Sequence, residues 1–99
     1  MFARMPTIGP KCVTDNEAER RFELVEEGMT AFADYYRSGE VLVIPYVESP
    51  VPLRGKGTAD RLMQGVASLA RERDLKLRPT CSYAVVWFRR HPQWSDVLA

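Results

Sequence analysis

Val41-Leu42-Val43-Ile44-Pro45-Tyr46-Val47, followed by Glu48-Ser49-Pro50-Val51-Pro52-Leu53 and then Arg54-Gly55-Lys56-Gly57-Thr58-Ala59, is an apolar run, a proline-bearing connection and a glycine loop. The loop passes directly into Asp60–Arg73, where apolar residues recur at helical spacing. Residues 41–47 are apolar on both faces, the pattern of a strand covered on both sides, so a central strand is expected there. Two glycines let the backbone fold tightly and approach a ligand. A helix beginning at that point leaves its first amides unpaired, at the positive end of its dipole. Such a loop reads as a phosphate cradle, able to hold a pyrophosphate on backbone N–H groups, or as an ordinary basic turn and helix cap. Pro45 removes a ladder donor from the strand. Either pairing stops near it, or the strand splays from its neighbour there and leaves a gap.

Working upstream, Phe22 and Leu24 alternate with Arg21 and Glu23, which predicts a half-buried strand over 20–25. Glu27-Gly28 makes a turn, Met29–Tyr36 a second, aromatic-rich strand, and Ser38-Gly39 the turn into the apolar run. Residues 1–10, with Pro6, Gly9 and Pro10, read as a loose leader. Downstream, Pro50 and Pro52 are expected to keep the chain extended up to the loop. In the helix, Ala59, Leu62, Met63, Val66, Leu69 and Ala70 form one stripe, with Asp60, Arg61, Gln64, Ser68, Arg71 and Glu72 opposite. A short strand at Lys76–Arg78 is stopped by Pro79, and a last helix runs from Cys81 to about Arg90, capped by Thr80 and ended by His91-Pro92. A strand, crossover helix and strand in one sheet pair in parallel. The fold class is therefore α/β (α+β): one domain, a mixed and mainly antiparallel sheet built as a β-meander, then a glycine loop, a helix, a parallel strand and a helix.

Ninety-nine residues, 45% apolar and 27% charged, have the make-up of a globular domain. Fourteen basic and 13 acidic residues nearly cancel to a net charge of +1, so no overall field recruits nucleic acid or an acidic membrane. Arg71 and Arg73 read as solvated surface charge, and Arg89-Arg90 is a second local basic cluster. No metal-binding cluster is expected. The N-terminal residues carry no apolar run of signal length, and 41–47 is too short to span a bilayer. A cytoplasmic location is expected, with Cys12 and Cys81 reduced. Oligomeric state is left open.

The loop lacks the Lys-Ser/Thr ending of a nucleotide-hydrolysing P-loop and the three glycines of a dinucleotide-binding turn. Arg54, Gly57 and Ala59 instead fill the pattern Q/R-x-x-G-x-G/A, which resembles the signature of the GNAT acyltransferase superfamily. That resemblance implies an acyl-coenzyme A whose pyrophosphate lies on the loop. It also implies a pantetheine arm in the opening where the preceding strand splays.

Cys81 falls at the start of the last helix, where the dipole favours thiolate. It reads equally as a small buried hydrophobe. The order Pro79, Cys81, Tyr83, then Arg89, His91, Pro92 and Trp94, resembles a compact branch of the same superfamily, the YjdJ-like proteins, and extends the match over 41–98. Two departures stand out. Tyr46-Val47-Glu48-Ser49 occupies a strand that often reads His-Thr-x-Val in that branch, and Thr58-Ala59 replaces Ile-Gly or Ile-Ala.

The resemblance implies an acetyltransferase moving an acetyl group from acetyl-coenzyme A to a primary amine. Val43, Ile44, Tyr46 and Val47 would border the pantetheine, Arg54, Gly55, Lys56, Gly57, Thr58 and Ala59 would hold the pyrophosphate, and Lys56 and Arg61 would flank it. Cys81 would either carry the acetyl group or only line the site, Tyr83 would protonate the departing thiolate, and Glu48 would take a proton from the amine. His91 reads as a base or, more simply, as a helix-end cap. The alternative is a catalytically silent acyl-coenzyme A-binding module that meets a protein partner through Trp87 and Trp94.

Overall fold

The computed structural model describes residues 13–99, so the leader at 1–10 and Cys12 lie outside the described residues. Five strands form one sheet in the order β1 (Thr14–Asn16), β2 (Arg21–Glu26), β3 (Met29–Ser38), β4 (Val41–Glu48), β5 (Lys76–Pro79). The first four pair antiparallel, and β4 pairs with β5 in parallel. Helix α1 (Thr58–Glu72) is the crossover between β4 and β5, and α2 (Ser82–Arg89) follows β5. The expected fold class is what the structure shows. β4 is an interior strand but not the middle one, because β1, too short and polar to show a period, adds a strand at the far edge.

The alternation in β2 and β3 turns Phe22, Leu24, Ala31 and Ala33 inward, all essentially buried. Two alanines on β3 leave room for α1 to lie close against the sheet. Leu62, Met63, Val66 and Ala70 of the expected stripe are fully buried, and so is Ala67 beside it. The buried face is wider than one stripe because α1 is covered on a second side by α2 and the 3-10 segment Pro92–Val97, through Ala84, Trp87, Phe88 and Val97.

Two local expectations need correction. Val51–Leu53 is a 3-10 turn and not an extended connection: Pro52 sits in its first turn, where no amide is needed, and Leu53 is buried. The cap of α2 is Cys81 and not Thr80, since the Thr80 amide is drawn 3.0 Å from the Ile44 carbonyl oxygen and no side chain caps the helix.

Of the two expectations for Pro45, the structure meets the first: pairing stops near it on one side. Pairing of β4 with β5 ends at Ile44↔Pro79, whereas β4 runs on to Glu48. Opposite β3 the register moves from Tyr36↔Val43 to Asp34↔Tyr46, so β4 carries one extra residue, a bulge, at Ile44-Pro45. Beyond that point β4 keeps β3 on one side and, among the described residues, has no strand on the other.

Candidate functional site

The glycine loop is held from below. Gly55 and Gly57 take φ of 81° and 82°, the left-handed region open to glycine, and Gly57 is the cap residue of α1. Glu26, the last residue of β2, reaches up beneath them. Its Oε1 accepts from the Thr58 hydroxyl at 2.6 Å, and its two oxygens accept Arg61 Nε and Nη2 at 2.7 and 2.9 Å. Arg61 Nη2 also donates to the Lys56 carbonyl at 2.9 Å. The Arg61 guanidinium pulls the Glu26 carboxyl down to about 2 from the usual 4.5, with the Thr58 hydroxyl helping against the cost of burial. A Cβ on Gly57 would stand 3.0 Å from Arg61 Nη1.

Thus Arg61, expected to flank the phosphate, is committed to the scaffold. Lys56 pairs with Glu27 at 3.3 Å on the surface. Among the seven amides from Arg54 to Asp60, those of Arg54 and Lys56 are already bonded to Val51 and Leu53 carbonyls, at 3.1 and 3.2 Å. The amides of Gly55, Gly57, Thr58, Ala59 and Asp60 have no hydrogen-bond acceptor among the described residues. They border a cavity of about 240 Å³ walled by Ser49, Leu53, Arg54, Gly55, Gly57, Thr58, Ala59, Asp60 and Tyr83. Ser49 Oγ is buried there and likewise unpartnered among the described residues. Five free donors and an orphaned hydroxyl at the positive end of a 15-residue helix fit a diphosphate.

The structure therefore brings Tyr83 to the same cavity as Arg54, Gly55, Gly57, Thr58 and Ala59. The Tyr83 phenol is pushed above its usual range, first by partial burial and then by Asp60 and Cys81, so it keeps its proton at neutral pH. Cys81 stands outside that cavity wall: it is half-buried against the core, at the cap of α2, with its amide 3.3 Å from the Ile44 carbonyl. Val43 and Ile44 are buried in the paired part of β4, and the Ile44 carbonyl is spent on Thr80 and Cys81. Tyr46, Val47 and Glu48 lie on the unpaired part of β4, where the Tyr46 hydroxyl donates to Glu48 and its own pKa is raised mainly by that bond.

Asp60 was read only as part of the polar helix face. Its Oδ1 accepts from Trp87 Nε1 at 2.7 Å and lies 3.6 Å from His91 Nε2. Trp87 is 4% exposed, and Trp94 is half-buried under the Arg71 guanidinium, 4.2 Å from its ring centre. The two indoles are therefore not the exposed partner surface that the sequence suggested. Glu26 and the Asp60–Trp87 bond left no local signal, because Thr58, Arg61 and Trp87 are 27 to 35 residues from the carboxylates they meet.

The family model for the GCN5-related N-acetyltransferases matches residues 21–97. The chain belongs to that family. The family generally uses acetyl-coenzyme A. Among solved structures, the chain is similar to a GCN5-like candidate N-acetyltransferase from Staphylococcus aureus, at 22% identity and a TM-score of 0.62, over 88% of this chain and 86% of that one. That similarity supports the fold. No match was found among curated proteins. Among the described residues no helix is long and apolar enough to cross a membrane.

Proposed function

We propose that this family member is of the compact, YjdJ-like branch and transfers the acetyl group of acetyl-coenzyme A to a primary amine. The observation that carries the reading is the set of five unpaired amides beside the unpaired end of β4. Bound acetyl-coenzyme A supplies a thioester carbonyl that is already activated. The protein's share is to hold, orient and move protons. Gly55, Gly57, Thr58, Ala59 and Asp60 hold the diphosphate through N–H groups, with Ser49 Oγ as a further donor. The open side of β4 from Pro45 to Glu48 takes the pantetheine, and no strand on that side competes for its polar groups.

The acceptor must be neutral to attack. For a lysine of pKa about 10.4, losing the proton near pH 7.4 costs about 4 kcal/mol. Glu48 is assigned that proton. As the new C–N bond forms and the C–S bond breaks, the proton of the Tyr83 hydroxyl goes to the sulfur, a role supported by a raised pKa that keeps the phenol protonated. Cys81 enters either as a transient acetyl carrier or as a wall of the site.

Labelled acetyl-coenzyme A tests both points. With a panel of lysine peptides and small amines, label should appear on an amine. Without an acceptor, label retained on denatured protein and lost in Cys81→Ala marks the carrier route, and its absence with intact turnover marks direct attack. No heat of binding with coenzyme A or its acetyl ester would end the proposal.

A further inference from the structure

Asp60 is out of place in a cradle for a diphosphate. Asp60 lines the same cavity as the free amides, and a carboxylate so close to an anion's place weakens binding. A carboxylate in the first turn of a helix gains a modest dipole term, which a position away from the cavity would also supply. Something else holds it there.

Its surroundings are unusually complete. Oδ2 accepts from Gln64 Nε2 at 2.9 Å, one turn along α1, while Oδ1 accepts from the buried Trp87 indole at 2.7 Å. Among the described residues this is the only side-chain hydrogen bond between α1 and α2. His91 stacks on the indole, ring centres 4.0 Å apart and planes 14° apart, with Nδ1 2.7 Å from the Trp87 carbonyl. A ring nitrogen facing a carbonyl carries the hydrogen, so Nε2 is the atom turned toward Asp60. Trp87 and Tyr83 are four residues apart on α2, hence on one face of that eight-residue helix. Wherever the indole is fastened, the phenol one turn earlier is set too.

We infer that Asp60 is a positioning residue: by accepting the Trp87 indole hydrogen bond it fastens α2 across the mouth of the cradle and so sets the Tyr83 hydroxyl over the bound thioester, at a cost in affinity for the diphosphate. The inference rests on the acetyl-coenzyme A reading and goes beyond it. Asparagine at this position keeps an acceptor oxygen for the indole and removes the charge, whereas alanine removes both. The two functions therefore separate.

The test compares wild type, Asp60→Asn and Asp60→Ala in three measurements: the indole N–H resonances of Trp87 and Trp94, calorimetric binding of free coenzyme A, and steady-state kinetics. Both variants should bind coenzyme A more tightly, by about threefold for one charge removed at partly screened distance. Asp60→Asn, which keeps an acceptor for the indole, should have a kcat about tenfold above that of Asp60→Ala, with a lower KM for acetyl-coenzyme A than wild type. Asp60→Ala should lose about tenfold in kcat, and its Trp87 N–H should exchange with solvent while that of Trp94 does not change. Equal kcat in the two variants, or a Trp87 N–H in Asp60→Ala as protected as in wild type, overturns the inference even if coenzyme A binds. Failure of wild type itself to bind coenzyme A would instead remove the underlying function, while the resonance measurement still reports on the fastening.

Discussion

The two ends of α1 differ in what they leave undone. At its C-terminal end, Arg73, Asp74 and Leu75 amides close on the Leu69, Arg71 and Ala70 carbonyls, Arg73 pairs with Asp15 at 2.8 Å, and Arg71 grips both oxygens of Asp96. Asp15 in turn accepts from the Tyr35 hydroxyl at 2.6 Å. At the N-terminal end, Glu26 secures the loop from beneath, yet the amides above it stay free. Finishing a helix end contributes stability, and leaving one unfinished makes a binding site. The contrast separates residues that keep the fold from residues left with free donors for the proposed ligand.

Gly57→Ala strikes the unfinished end hardest. A Cβ there forces a left-handed alanine and crowds Arg61, so coenzyme A affinity should fall about tenfold by calorimetry. An unchanged affinity would break the contrast, since the amides would then not be the binding groups. Glu26→Gln should weaken both support and binding, with a stability loss of about 1 kcal/mol after allowing for partial exposure. The sign follows from its depressed pKa: the stabilisation is present above the ordinary 4.5 and is lost as pH falls toward about 2, so melting curves of wild type and variant should converge over that window.

Tyr35→Phe addresses the finished end. Burial and Asp15 push the phenol up to about 12 from 10.0, so its contribution is present below pH 10.0 and is lost as pH rises toward about 12. The variant should lose about 1 kcal/mol at neutral pH and bind coenzyme A as wild type does. A matching loss of affinity would show the two ends to be coupled. Smallest is Lys56→Ala, which removes an exposed pair with Glu27 and should move stability by less than about 0.5 kcal/mol. A clear loss of affinity would mean that Lys56 leaves Glu27 to meet the phosphate.

The meander and α1 were legible because Phe22 and Leu24 alternate and Leu62, Met63, Val66 and Ala70 recur at helical spacing, both local signals of burial. Loop position and free amides followed from two glycines next to a helix start. Thr14-Asp15-Asn16 was not legible, because three polar residues have no period. Glu26, Asp60 and Trp87 were misread or missed for one physical reason. A carboxylate at a strand end and another on a polar helix face look solvated until tertiary packing brings Arg61 or an indole to them. Similarly, an exposed-looking tryptophan on a short helix was buried by a 3-10 segment that the sequence did not announce.

One extra residue in β4 also reverses the strand's inside and outside. Before Pro45 the even-numbered side chains, Leu42 and Ile44, enter the core. After it the odd-numbered Val47, opposite Ala33, takes over, and Tyr46 and Glu48 are turned to the other surface of the sheet, opposite Asp34 and Phe32. With an unbroken count, Tyr46 and Glu48 would have been driven toward α1, and a carboxylate would have been buried under the helix. The Tyr46 hydroxyl and the Glu48 carboxylate are thus kept in water by arithmetic, a single inserted position, before any contact of their own is formed.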